Sequence, residues 1–505
     1  MSESSPDVGL RVFQLNMRRG SMCLVLLTQH LATHHADVLL LQDPPEGLVS
    51  GGDCPAGYDV YLPTRDSTSQ PCFVPPLVAI LVRSTLRARA IPFSHPRVCG
   101  IFVSTARCPL AFLSGYVHHT DGSGLDALAS LVTIARRSTP LILVGADTNG
   151  HSPWWGRPNT LTNTVGAQVE EFILSSRLGV ANRWPSPPTF RGAIPTHVSW
   201  IDVTLTSFPL APLVHSWRVL PDEALESDHS LLAYTLSLEA PRVYETRPAW
   251  RRVDWDHFRP TLRHSLHTHC PLTLPLHSPD ALDAFATALD TALQATAARH
   301  VPLSHRGGHR PHTWWSPHLS ELKTKLTRAR RRWHNTCLAA DKSTVNACSC
   351  ALRKAVAEAK QDSWRTFCET TSERNMWDQF QRISRPHRPQ RVGDLFVDGT
   401  WVTDDAGKAN AFGKSFFPNV QPARDPFHCQ IEAEVDAILS TPHAQDPHPV
   451  TAQELHEAIF TPEPWESPGP DGIPYACLRH CEDILAPYLL PLFTASLCLA
   501  HIPAA

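Results

Sequence analysis

Polar residues able to handle a phosphate ester recur directly after apolar runs in the first half of this 505-residue sequence. Asn16 closes LRVFQLN, Asp43 follows ADVLLLQ, and Tyr116 closes LAFLSGY. Asp147 and Asn149 stand in VGADTNG, Asp202 in SWID, and Asp228-His229 in ESDHS. Hydrolysing a phosphodiester without a covalent intermediate requires a metal to neutralise phosphate charge, a positioned water, and an acid or electrophile for the leaving oxygen. Carboxylates, amides and an imidazole meet those needs. Taken singly, each has a plainer reading: an Asn or Asp at a strand end is more often a turn or cap residue, and an isolated Asp-His pair is usually a surface hydrogen bond. The ordered set carries the weight.

Those residues need elements that bring them together. Between residues 9 and 117, LRVFQLNM, ADVLLLQ, LVAILV, CGIFVS and LAFLSGYV are near-continuous apolar runs bounded by turn signals, as strands buried on both faces should be. SMCLVLLTQHLATHH between the first two has helical length. GLDALASLVTIARRS reads as helix, PLILVGADTN as a strand running into a loop, and VGAQVEEFILSSRL as helix. This order indicates an α/β fold with strands covered by helices.

The ordered polar set resembles the endonuclease/exonuclease/phosphatase superfamily, in which a strand-end Asn, a Gln-Glu pair, a Tyr, a Gly-Asp-x-Asn element, an Ile-Asp strand and a Ser-Asp-His follow one another. Here these are Asn16, Gln42-Asp43, Tyr116, Gly145-Ala146-Asp147-Thr148-Asn149, Ile201-Asp202 and Ser227-Asp228-His229. The resemblance implies a two-sheet α/β sandwich of the DNase I type over residues 9–240. It also implies Mg²⁺, or Mn²⁺, held by Asp43 and Asp228. Asp147 would orient or deprotonate the attacking water with Asn149 holding it, Asn16 would contact phosphate or Asp147, and Tyr116 would bind phosphate or assist the leaving group. His229, oriented by Asp202, would stabilise the phosphorane charge. Thr189 and Ser199 would contact phosphate or DNA. Two departures narrow the match: Asp43 is one methylene shorter than the usual Glu, implying weaker or water-mediated metal contact, and Ala146 separates Gly145 from Asp147, a variant of LINE-like retrotransposon nucleases. Trp154-Trp155 in the same loop are expected to pack beneath it, with base stacking the alternative.

After residue 240 the texture changes. The stretch 241–380 holds 21 Lys and Arg against 13 Asp and Glu, a balance of +8, whereas the chain as a whole carries −3. SPDALDAFATALDTALQATAARH places Leu282, Phe285, Leu289 and Leu293 at helical spacing, a helix is expected from Ser316-Pro317, and another over 344–369. Arg328, Arg330, Arg331 and Arg332 make the densest basic run and are candidate contacts to DNA or RNA, with a solvated helix face the equal alternative. TRPAWRRVDWDHF and Trp314-Trp315 resemble the linker before LINE reverse transcriptases. GKANAFGKSFFP and Ser467-Pro468-Gly469-Pro470-Asp471-Gly472-Ile473-Pro474 resemble the opening of polymerase fingers. Residues 241–380 are thus read as a basic α-helical linker region and 381–505 as the N-terminal fragment of a reverse transcriptase. No F-x-D-D or Y-x-D-D string occurs, so polymerase activity is not expected.

The 14 cysteines show neither zinc-site spacing nor a preceding secretory signal, and read as reduced, mostly small buried hydrophobes. No apolar run approaches the roughly 18–20 residues needed to span a bilayer. The expectation is an intracellular, nuclear, Mg²⁺-dependent endonuclease that nicks target DNA for target-primed reverse transcription, with element RNA as a second partner and no membrane. Two other readings fit the same residues: a non-catalytic retroelement relic that binds nucleic acid, or another phosphoesterase of the superfamily, such as an apurinic repair endonuclease.

Overall fold

In the computed structural model the chain is described at residues 9–50, 52–63, 75–120, 123–192, 194, 197–223, 225–242, 246–272, 275–305, 312–370, 395–397, 400–402, 405–416, 426–439, 448–469 and 471–503. Pro470 of the fingers-like loop and the Phe417-Pro418 end of GKANAFGKSFFP lie outside the described residues. The chain divides into two compact units, Met1–Tyr244 with Gly307–Phe416, and Glu245–Arg306 with Phe417–Ala505.

The first unit contains β1 (Leu10–Asn16), β2 (Val38–Gln42), β3 (Tyr58–Tyr61), β4 (Val78–Arg83), β5 (Ala88–Ala90), β6 (Val98–Val103), β7 (Leu110–Tyr116), β8 (Ile142–Asp147), β9 (Leu178–Val180), β10 (Phe190–Arg191), β11 (Val198–Ser199), β12 (Asp202–Ser207), β13 (Val214–Leu220) and β14 (Leu231–Leu236). Its helices are α1 (Ser21–Leu31), α2 (Glu46–Val49), α3 (Ser123–Arg136) and α4 (Thr164–Ser175). Two six-stranded sheets form, in the orders β13-β14-β1-β2-β4-β3 and β5-β6-β7-β8-β12-β9. Each is antiparallel except for one parallel pair, β1 with β2 and β7 with β8.

Why the strands read as unbroken apolar runs is visible in their alternation. Val38 and Leu40 of β2 point into a layer shared with Leu110 and Phe112 of β7 and Leu143 of β8, between the two sheets. Leu39 and Leu41 point the other way, into a cluster with α1. Ala111, Leu113, Ile142 and Val144 leave the second sheet on its far side, where α3 and α4 cover them. With both faces buried, a period of two still governs direction, but every position is apolar.

The outer face of the first sheet is covered by more than α1. In the other unit lie α5 (Trp255–His269) and α6 (Pro279–His300); in this one, α7 (Pro317–Thr336) and α8 (Ala339–Glu369) form a helical hairpin. Ser316 caps α7 by accepting the Leu319 amide, and Pro317 takes the first helical position. The apolar residues Leu319, Leu326 and Trp333 recur every seven positions, and Val345, Leu352 and Val356 answer them from α8. All six are buried in the cluster with α1, β1 and β2. A fully buried Leu or Val contributes about 1.5–3 kcal/mol, so this stripe rivals the roughly 5–15 kcal/mol net stability of a domain. The hairpin is part of the sandwich's helical coat.

Residues 241–380 therefore do not behave as one region: α7 and α8 join the sandwich, whereas α5 and α6 join the later chain. Phe258, Leu262, Leu282, Phe285 and Leu289 share a core with Ile473, Cys477, Ile484, Leu485 and Leu492. The Trp250 indole donates to the Gly472 carbonyl at 3.1 Å, and Gln294 donates to that of Asp471 at 2.6 Å. The fingers-like loop is thus tied to the helices that precede it. Among the described residues one helix, Glu482–Leu499, is long and apolar enough to cross a membrane by length and composition alone, and Pro487 and Pro491 lie inside it. Its Ile484, Leu485 and Leu492 are buried in the α5–α6 core. All described cysteines are free, and Cys477 and Cys481 are buried.

Candidate active site

The two parallel strand pairs bring the polar strand ends to one edge of the sandwich. Asn16 at the end of β1 lies in register with Gln42 at the end of β2, and Tyr116 at the end of β7 with Asp147 at the end of β8. Asp202 opens the antiparallel β12 opposite Asp147, and His229 precedes β14, which pairs with β1. Beneath them the sheets are joined by polar contacts: Gln14 donates to the Ala146 and Val203 carbonyls and accepts from Thr204, and Gln42 donates to Ser114 and to the Gly145 carbonyl. Gly145 is required there, because a Cβ would come within 2.6 Å of Leu40 Cδ1 and 2.8 Å of Gln14 Oε1.

His229 is the centre of the arrangement. Its Nδ1 lies 2.9 Å from Asp202 Oδ2, which leaves Nε2 facing Asp147 Oδ2 at 4.0 Å. Phe190 packs edge-on against the imidazole at 5.0 Å between ring centres. Asn16 Nδ2 donates to Asp147 Oδ2 at 2.8 Å, and the Asn149 amide donates to Asp147 Oδ1 at 3.2 Å. Burial pushes the Asp147 carboxyl up to about 7 against the opposing pull of His229. Burial disfavours the His229 cation, but Asp202, Asp147 and Asp228 together outweigh it and raise the imidazole to about 9. Asp147 and His229 thus face each other as an electrostatically coupled pair, the imidazole favoured in its cationic form.

Asp43 and Asp228 border this pair. Burial raises the Asp43 carboxyl, opposed by Arg19 and His229, while Asp228 adds to the rise. Tyr116 is raised by burial and then by Asp43 and Asp147, with Asn149 bonding its hydroxyl. Arg18 Nη1 stands 3.1 Å from Asp228 Oδ2, and Arg19 Nε 3.7 Å from Asp43 Oδ1. Asp228 Oδ1 is buried without a hydrogen-bond partner. An orphaned carboxylate oxygen beside a second, half-buried carboxylate is the donor set a hard divalent cation prefers, so these residues fit a metal. Asp147, Asp202 and His229 also lie close enough to hold one, their ligand atoms all within 4.8 Å of one another. However, Asp202 and His229 spend their facing atoms on each other. Arg18, Arg19, Asp43 and Asn149 all adopt left-handed backbone, as does Glu226 near His229, a concentration of costly conformations typical of functional loops.

A family model described as endonuclease-reverse transcriptase matches residues 110–233, which span Tyr116 through His229. The chain is 26% identical over 428 residues to the retrovirus-related Pol polyprotein of the type-1 retrotransposable element R1 of Bradysia coprophila, covering 80% of this chain and 41% of that protein. It is 24% identical over 437 residues to the 115 kDa protein of element R1DM of Drosophila melanogaster, covering 80% and 38%. The chain is thus similar to LINE-like proteins that carry an endonuclease/exonuclease/phosphatase domain. The sandwich is similar to the solved endonuclease domain of TRAS1, a telomere-specific non-LTR retrotransposon, at 22% identity and a TM-score of 0.38, over 46% of this chain and 99% of that one. The chain spans about two fifths of the length of the two curated relatives.

Not every expected site residue reaches this edge of the sandwich. Thr189 is fully buried, and its hydroxyl oxygen accepts the Ile201 and Asp202 amides at 3.0 and 3.1 Å, so it fixes the start of β12 instead of offering itself to phosphate. Ser199 is buried in β11 and lines a cavity of about 580 Å³ with His151, Arg157, Trp184 and Trp200. Trp155 packs beneath its loop as expected, donating to the Gly150 carbonyl, but Trp154 is 44% exposed. Of the basic run, Arg328 is exposed. Arg331 pairs with Asp222 at 2.7 Å, Arg332 with Asp341 at 2.8 Å, and Arg330 donates to the Ser227 carbonyl at 2.7 Å. Three of these four expected nucleic-acid contacts are engaged within the unit. Sequence reasoning missed Arg18 and Arg19, although two arginines directly after a strand-end Asn were a signal, and it missed Ser227 as a joint between Asn16 and His229.

Proposed function

We propose that this chain is a Mg²⁺-dependent DNA endonuclease that cuts one strand of target DNA and leaves a 3′-hydroxyl to prime reverse transcription. The observation that carries the reading is His229 held by Asp202 and facing Asp147, at the strand ends where Asp43 and Asp228 also gather. The retrotransposon names of the relatives support DNA as the substrate.

In this reading Asp147 accepts a proton from the attacking water, and Asn16 and Asn149 keep its carboxylate aimed. His229, held cationic by Asp202, faces the negative charge that grows on the phosphorus-bound oxygens. Tyr116 binds phosphate or steadies the leaving oxygen. Asp43 and Asp228 would hold the divalent ion, which when bound lowers the charge on the phosphate and polarises it. Trp154 and Arg328 remain exposed for DNA contact. The 505 residues contain no Y-x-D-D or F-x-D-D string, so the reading assigns them no nucleotide addition.

The test is conversion of supercoiled plasmid to the nicked form with Mg²⁺ and with chelator, followed by extension of the nick by a DNA polymerase. Nicking that chelator abolishes, with ends that extend directly, is expected. Folded protein that leaves plasmid intact across Mg²⁺ and Mn²⁺, or that cuts only abasic DNA, overturns the reading.

A further inference from the structure

The segment 222–229 carries Asp228 and His229 between β13 and β14, and among its described residues there is no helix or strand, only an isolated bridge from His229 to Phe190. It is held from outside by the α7–α8 hairpin, which follows β14 by some eighty residues of sequence but belongs to the same compact unit. Arg331 of α7 grips Asp222 at the start of the segment. Ser349 and Arg353 of α8 both bind the Glu226 carboxylate, Ser349 Oγ at 2.6 Å and Arg353 Nε at 2.9 Å. That carboxylate is only 7% exposed, and Glu226 stands at φ 58. Half-buried Arg330 donates to the Ser227 carbonyl at 2.7 Å. Ser227 is the joint of the site: its hydroxyl donates to the Asn16 carbonyl at 2.7 Å and accepts the His229 amide at 3.1 Å. Leu225, 2% exposed, anchors the same segment in the cluster formed with Leu319, Leu326 and Trp333.

We propose that Arg330 and Arg353 are positioning residues of the nuclease: the helical hairpin reaches under the Ser227-Asp228-His229 segment and fixes where these side chains stand. The inference rests on the nuclease reading for its kinetic consequence and on geometry alone for its structural one. A guanidinium bonding a carbonyl, and another bonding a buried carboxylate, are charge-assisted and directional. They hold a strained turn that three residues later must present an imidazole 2.9 Å from Asp202. Displacement of such a group by about 1 Å costs a rate factor of roughly a hundred. Neither arginine touches the reacting atoms. The basic run that in sequence resembles a nucleic-acid surface acts here, at Arg330, on the protein's own backbone.

The experiment compares the full chain with Arg330→Met, Arg330→Lys and Arg353→Gln, and with Lys354→Ala, which removes a surface pair with Glu358, as control. Two quantities are read: kcat and KM for plasmid nicking, and hydrogen exchange over 222–231 against 98–116. Arg330→Met is expected to lower kcat about tenfold or more with KM within about twofold, and to speed exchange over 222–231 alone. Arg330→Lys should restore part of both, and Lys354→Ala should change neither. Unchanged kcat and exchange in Arg330→Met overturns the proposal, as does a rise in KM at constant kcat, which would mark a direct DNA contact. If Arg330→Met does not fold, Arg353→Gln is decisive by the same two criteria. If the parent protein does not nick DNA, the nuclease reading fails by itself; the exchange data then decide the positioning claim.

Discussion

At the scale of single residues, the proposed nuclease reading separates groups that chemistry needs from groups that only hold them. Asp147→Ala and His229→Ala should each slow nicking by at least about a hundredfold, because water activation and charge stabilisation act in the transition state. Comparison of kcat at saturating Mg²⁺ checks this, and near-normal turnover in His229→Ala would remove the imidazole from the mechanism. Asp43 allows a second test. If its short side chain loosens contact with the metal, Asp43→Glu should lower the Mg²⁺ concentration for half-maximal nicking; a higher requirement would mean that the site has adjusted to aspartate, whose backbone already stands at φ 43. Asn16, Asp147, Asp202 and His229 were legible because each follows or opens an apolar strand, and a strand end fixes where its next side chain emerges. Thr189 was not, since a threonine before an Ile-Asp strand reads the same whether its hydroxyl meets phosphate or, as here, two backbone amides.

At the scale of elements, long apolar runs announced β1, β2, β4, β6, β7 and β8, while β5, β9, β10 and β11 are two or three residues long and carry no periodic signal. The hairpin was legible as two helices but not as a cover for the first sheet, because amphipathic spacing shows that a stripe is buried without saying against what. Its interface has a pH signature at His334 of α7. Burial, then Arg191 and Arg330, lower that imidazole from its ordinary 6.5 to about 4, and both ring nitrogens are buried without partners. A histidine whose folded pKa lies below its unfolded one favours the folded state at neutral pH. That advantage declines as pH falls below about 6.5, where only the unfolded chain takes up the proton, and reaches its floor near 4. The thermal midpoint of the parent should therefore drop between pH 7 and pH 5, and His334→Gln should flatten that part of the curve. A parent and variant with parallel curves would place the acid sensitivity elsewhere.

At the scale of the molecule, the boundary that matters is not where the sandwich's last strand ends. The chain after residue 240 was expected to form a basic linker and then polymerase fingers, and composition alone invites that division. Instead α7 and α8 return to the sandwich, while α5 and α6 share a core with residues beyond 470. No local pattern could show this, since each helix is equally amphipathic whichever partner it meets. The consequence is a prediction about size. A chain ending at Arg242 keeps Asn16 through His229 and every strand of both sheets, yet loses Leu319, Leu326, Trp333, Val345, Leu352 and Val356 from the cluster on the first sheet's outer face. At about 1.5–3 kcal/mol for each buried aliphatic side chain, the loss is on the order of 10 kcal/mol before the surface relaxes, comparable to the net stability of a domain. It also removes Arg330 and Arg353 from the segment that carries Asp228 and His229. Such a chain should unfold at least about 5–10 °C below one ending at Phe416, consistent with roughly 2–4 °C per kcal/mol for a domain of this size once most of the loss is relieved. Its kcat for nicking should be lower at equal folded fraction. Scanning calorimetry and plasmid nicking on the two chains settle the matter: equal midpoints and equal rates would show that the sandwich closes its outer face without the hairpin.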